Sequence, residues 1–146
     1  MGGVGCDHAT KLGAKAALEG REPLSLVANV LDLRYAENRD TAFSLFQRRD
    51  MTAPAGLLLA LSCVALALLG AFWWRRRRGG VVEHAGFALV AAGAVGNVLD
   101  RAARGYVVDF IHVAHWPVFN VADVAIVLGM GVLFLARRSA SHTLAR

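Results

Sequence analysis

The chain has 146 residues, is 56% hydrophobic, carries a formal charge of +5 and has a mean hydropathy of +0.46. This is too apolar for an ordinary soluble domain and short enough for one compact unit, so a single membrane-embedded domain over 1–146 is expected. The positive charge is clustered: Arg75, Arg76, Arg77 and Arg78 follow an apolar run ending in Trp73-Trp74, and Arg137-Arg138 follow another. Interfacial aromatics followed by arginines mark the cytoplasmic end of a membrane span, which disfavours a nucleic-acid role for the block.

In chain order, the N-terminal stretch 1–11 is glycine-rich and too short for a signal peptide or a span. Segment 12–50 is mixed, and the apolar/polar alternation of Val30, Leu31, Leu33 and Tyr35 predicts one or two strands on the outer face. Residues 52–74 form an uncharged span of the length a helix needs to cross the hydrocarbon core, with Pro54 in its first turn. Gly79-Gly80 then makes a tight turn. A second span covers 84–100, where Gly86, Gly93 and Gly96 suit close helix approach. A loop over 101–118 leads to a third span, 119–136. The two arginine clusters agree on topology, placing the ends of the first and third spans in the cytoplasm and the 101–118 loop outside. Segment 12–50 would then be outside with no preceding span, so a first transmembrane helix is expected to be missing, through a wrongly chosen start codon or truncation. Cys6 and Cys63 lie far apart, form no metal or redox spacing, and are expected to be inert packing residues.

The residues with chemical potential cluster near one end of these spans. Asn97, Asp100 and Arg101 are spaced to share a helix face, with Gly105 where a helix cap would fall. Asn120 and Asp123 share a face of the last span. Asp109 precedes Asp123 by 123 − 109 = 14 residues, enough chain to fold one over the other. Carboxylates at membrane depth are costly and usually functional, and two that converge can share a proton. The residues alone also allow plainer roles: Asp109 as a solvated loop acid, Asp123 as an acid favoured by a helix N-terminus, Asp100 and Arg101 as interfacial charge, Asn97 and Asn120 as interhelical hydrogen-bond partners. Tyr106, Trp116 and Phe119 fit an aromatic belt. His112 and His115 could join the aspartates around a metal, although no His-Glu-x-x-His helix is present.

Three motifs in order, Gly-Asn-Val-Leu-Asp-Arg (96–101), Val-Val-Asp-Phe-Ile (107–111) and Phe-Asn-Val-Ala-Asp (119–123), resemble the signature of lipoprotein signal peptidase, the signal peptidase II family of bacterial inner-membrane aspartic proteases. Asp7-His-Ala-Thr-Lys11 is similar to the family's Asp-x-x-x-Lys, and the stretch from Tyr35 to Ser44 to its Asn-x-Gly-Ala-Ala-Phe-Ser strand, with Asp40-Thr41 in place of the usual Gly-Ala. The resemblance implies an all-α membrane protein with a small extracytoplasmic β element. The family has four spans, of which three are visible here. It implies Asp109 and Asp123 as the catalytic dyad, which of them is the base being left open. It implies Asn38, Asn97, Arg101 and Asn120 as substrate-site residues, Asp100 as a structural acid supporting Arg101, and Asp7 and Lys11 as a structurally supporting pair near the lipid-facing entrance.

By the same resemblance the substrate is a prolipoprotein whose cysteine carries diacylglycerol, cut just before that cysteine at the outer face of the inner membrane by a monomer. No metal, cofactor or nucleic acid is needed. The competing readings are a small transporter or scaffold with the aspartates in an ion path, and a His/Asp metalloprotease. Transport would spread ionisable residues through membrane depth, whereas here they gather at one face.

Overall fold

The computed structural model describes residues 2–39 and 55–143. Pro54 and the Asp40-Thr41 departure lie outside the described residues. Among the described residues, four helices and three strands follow in the order α1 (Gly2–Leu18), β1 (Leu24–Val27), β2 (Leu31–Asn38), α2 (Ala55–Arg75), α3 (Val81–Arg104), β3 (Val107–Val113) and α4 (Val121–Thr143). The chain is mostly helical with a small sheet. The helices α2 and α3 are each long and apolar enough to cross a bilayer.

Helix α2 is apolar all round, so no face is singled out, and Leu58 is buried. Helix α3 is different: its glycines make a groove for α4. A Cβ on Gly129 would lie 2.7 Å from the Gly86 carbonyl oxygen, and one on Gly93 would collide with the Ala122 carbonyl. Small residues on both helices allow this close crossing. Helix α3 ends at Gly105, at φ 78°, whose N–H donates to the Arg101 carbonyl at 3.0 Å. The chain can therefore turn sharply into β3.

The sheet is antiparallel in the order β1-β2-β3. The alternation in 29–37 does form strand structure, with Asn29 at φ 58° in the intervening turn. The loop expected over 101–118 is instead partly strand: β3 pairs with β2, Asp109 standing opposite Ala36 and Val107 opposite Asn38. Its outer edge is met at one point by Phe119, whose N–H and carbonyl both bond Ile111. A small core of Ala14, Leu18 and Phe110, with Leu33, Tyr35, Ile111 and Val121 around it, seats the sheet on α1 and the start of α4.

The N-terminal region also departs from expectation. The glycine-rich start is helical, and α1 runs on through residues 12–18, so the β-containing segment begins only at Leu24. Glycine weakens a free helix, but α1 buries Asp7, Lys11, Ala14 and Leu18 along one side against the rest of the protein.

Candidate active site

Two carboxylates arrive from two different elements. Strand β3 delivers Asp109, which is 2% exposed, and the first turn of α4 delivers Asp123. Both line one cavity of about 430 Å³, together with Asn38, Asn97 and Arg101.

Asn120 builds the junction. It precedes α4, and its side-chain oxygen accepts the Asp123 N–H at 3.0 Å while Asp123 Oδ2 accepts the Asn120 N–H at 3.2 Å. This reciprocal capping box fixes the Asp123 rotamer as a by-product of starting the helix. The Asn120 amide donates to Asp109 Oδ1 at 2.6 Å and to Asn97 Oδ1 at 3.2 Å. Asn97 in turn donates to Asp123 Oδ1 at 2.9 Å. From β2, Asn38 donates to Asp109 Oδ2 at 2.9 Å; it shares a sheet face with Ala36, the cross-strand partner of Asp109. Each aspartate is thus held by two donors, and asparagine amides tie the two together.

Behind this layer lies a buried charge cluster. The Lys11 ammonium is 2.8 Å from Asp7 Oδ2 and from Asp100 Oδ2, and it donates to Asn97 Oδ1 at 3.0 Å. Asp7 Oδ1 also accepts the Ala122 N–H at 3.1 Å, capping α4 from α1. Asp7 and Lys11, 3% and 1% exposed, brace α3 and α4 from inside. The Asp100 carboxylate takes Lys11 and Arg104 (2.7 Å) as close cations, and its charge is also felt by Arg101. Arg101 reaches the cavity, where its charge is felt by both Asp109 and Asp123.

Burial raises the Asp109 carboxyl to about 6, and the Asp123 charge pushes the same way. Hydrogen bonds from Asn38 and Asn120 and the Lys11 charge oppose the shift. A carboxyl near 6 beside a second one can hold a proton that its neighbour lacks.

The family model for signal peptidase II matches residues 1–137. The chain belongs to the signal peptidase II family. It is 37% identical over 138 residues to the lipoprotein signal peptidase of Syntrophotalea carbinolica, covering 92% of this chain and 84% of that one. It is 42% identical over 110 residues to that of Haemophilus ducreyi, covering 73% and 68%. A solved structure described as a bacterial membrane enzyme superimposes with a TM-score of 0.79 at 22% identity, covering 92% of this chain and 86% of that chain. A second of the same description gives 0.78 over 95% and 84%.

Sequence reasoning missed one wall of this peptidase's cavity. Leu58, Leu61, Ser62 and Ala65 of α2 line it opposite the carboxylates. Nothing in an unbroken apolar run marks which residues face a site. His112 sits against Asp32 of β2 at 3.4 Å and His115 is exposed at φ 64°, so neither lines the cavity. No cluster of metal-ligating side chains occurs among the described residues. The Cys6 and Cys63 thiols are exposed on their helices rather than packed.

Proposed function

We propose that this protein is an aspartic endopeptidase that removes the signal peptide from diacylglyceryl-modified prolipoproteins, cutting just before the lipidated cysteine. The observation that carries the reading is Asp109 and Asp123 cross-linked by asparagines at the polar end of a cavity whose opposite wall is apolar α2. A lipidated precursor is amphipathic in the same sense. Its apolar chains would lie along α2 while the scissile peptide meets the carboxylates. We place the site at the outer face of the cytoplasmic membrane, with α2, α3 and α4 as spans and the protein acting as a monomer.

In this mechanism Asp109 carries the shared proton and Asp123 is the base. Asp123 takes a proton from a water, whose oxygen attacks the scissile carbonyl carbon. Asp109 gives its proton to the developing oxyanion, which lies within the field of Arg101. The intermediate collapses as one hydroxyl returns its proton to Asp109 and the carbonyl re-forms, the C–N bond breaks, and Asp123 gives its proton to the leaving nitrogen. The products are the signal peptide carboxylate and the free amine of the lipidated cysteine. Asn38, with its amide at the cavity edge, is placed to hold peptide backbone.

The test is cleavage of a lipidated precursor by purified protein. Asp109→Asn and Asp123→Asn should each lower turnover by about 10³-fold or more, as for groups that act as a unit. Turnover should survive metal chelation and thiol alkylation. Near-normal cleavage by either variant would remove the aspartic mechanism, and loss on chelation with recovery on zinc would move the chemistry to a metal.

A further inference from the structure

The opposite end of the α2/α3 pair carries a second cavity unrelated to the aspartates. It is an apolar groove of about 540 Å³, a volume usual for small-molecule sites. Leu66, Leu69, Gly70 and Trp73 of α2 form one wall and Phe87 and Ala88 of α3 the other. At its mouth the Trp73 indole N–H donates to His84 Nδ1 at 3.1 Å. That bond makes Nε2 the protonated nitrogen of the neutral ring, leaving the mouth a second N–H donor.

The charge around this end is one-sided. Six arginines, at 75–78, 137 and 138, meet a single carboxylate, Glu83: no other acid occurs in 51–99, and none follows Asp123. Glu83 pairs with Arg76 at 3.7 Å, and one negative charge leaves the cluster strongly positive. The arginines are gathered rather than splayed. Arg76 and Arg137 both stack on the Phe72 ring, with centroid distances of 5.8 and 5.1 Å, and Phe72 packs edge-on against Phe87 of the groove wall. Arg77 covers Trp74 at 4.8 Å. An apolar slot with the His84 Nε2–H at its mouth, and Arg76 and Arg77 three and four residues beyond Trp73, is complementary to one chemistry, an anionic headgroup on an acyl chain. Basic pockets between transmembrane helices are a known means of holding such lipids.

We propose that this groove is a binding site for one anionic phospholipid, an acyl chain lying between α2 and α3 and the phosphate held by Arg76, Arg77 and the Trp73–His84 mouth. The site is separate from the proposed peptidase centre. Some 16 residues of α3 divide His84 from Asp100, roughly 24 Å of helix.

The probe is phosphatidylglycerol against phosphatidylcholine, presented to the full chain in mixed micelles and read by native mass spectrometry of retained lipid. Phosphatidylglycerol should be retained preferentially as a single adduct. Arg76→Gln with Arg77→Gln should lower that preference by about thirtyfold, from about 1 kcal/mol for each arginine near an anionic headgroup. Ala88→Leu, which fills the exposed groove and leaves every charge, should abolish the single adduct while the unfolding midpoint stays unchanged. Equal retention of the two lipids overturns the proposal. So does a preference that falls with the arginines but survives Ala88→Leu, since that is diffuse attraction to a basic surface. A second copy of the chain in place of lipid overturns it as well. None of these readouts uses cleavage, so they stand or fall apart from the peptidase assignment.

Discussion

Lys11 holds a positive charge whose side chain is fully buried, and it is retained because Asp7 and Asp100 surround it at 2.8 Å. Replacing it with methionine keeps the stem and deletes the cation, leaving buried Asp7 with no cation and Asp100 with Arg104 alone. Lys11→Met should destabilise the fold by about 3–5 kcal/mol, read as a lowered unfolding midpoint in micelles. An unchanged midpoint would mean that Arg104 and the Ala122 N–H compensate the carboxylates without it. Asp109 makes a kinetic prediction. Its carboxyl is raised to about 6, so its protonated form is populated below that pH and is lost as pH climbs through it. If Asp109 supplies the proton, kcat/KM should decline on the basic side with a midpoint near 6. The Asn38 hydrogen bond favours the ionised form, so Asn38→Ala should move that limb to higher pH. A limb that stays fixed or moves down would take Asp109 out of the proton-carrying role.

Between elements, the decisive contact is α3 against the first turn of α4. Gly93 faces the Ala122 carbonyl and the Ile126 side chain, one residue from Asp123. Gly93→Leu should force the helices apart, break the Asn97–Asp123 bond and lower turnover by about 10²-fold, the scale of an ångström of misplacement. Gly131→Leu, where an added Cβ meets nothing, is the control and should leave turnover unchanged. Equal effects from both would show that the loss comes from bulk in the helix rather than from the crossing. These elements were unevenly legible in the sequence. Helices α2 and α3 and strand β2 announce themselves, the helices by apolar length and the strand by alternation. Strand β3 does not, because Val107, Val108, Asp109 and Phe110 are all buried and show no alternating face. Helix α1 is hidden by its glycines, its stability coming from Asp7 and Lys11 reaching partners more than 80 positions away. The aspartates themselves were found from motif order. The asparagine links between them depend on the β2–β3 register and the cap of α4, which no spacing along one element reveals.

At the scale of the whole molecule, α3 sets the polarity. Its 24 residues give a rise of about 36 Å, slightly more than the hydrocarbon thickness of about 30 Å. Arg76 and Glu83 stand at one end, and Asn97, Asp100 and Arg101 at the other. The sheet lies with the second group, since β3 follows α3 directly through Gly105. If the arginine block is cytoplasmic, the aspartates and the β1–β2 turn must be outside, where a translocated precursor presents its cleavage site. Two single thiols decide this once Cys6 and Cys63, both exposed, are replaced by serine. Gly80→Cys sits between the arginines and α3 with open space around it, and Val30→Cys occupies an exposed position at the β1–β2 turn. With an impermeant maleimide on intact spheroplasts, Val30→Cys should label at once and Gly80→Cys only after permeabilisation. The reverse pattern would put both aspartates in the cytoplasm, where no translocated lipobox reaches them, and the proposed substrate would fail with the topology.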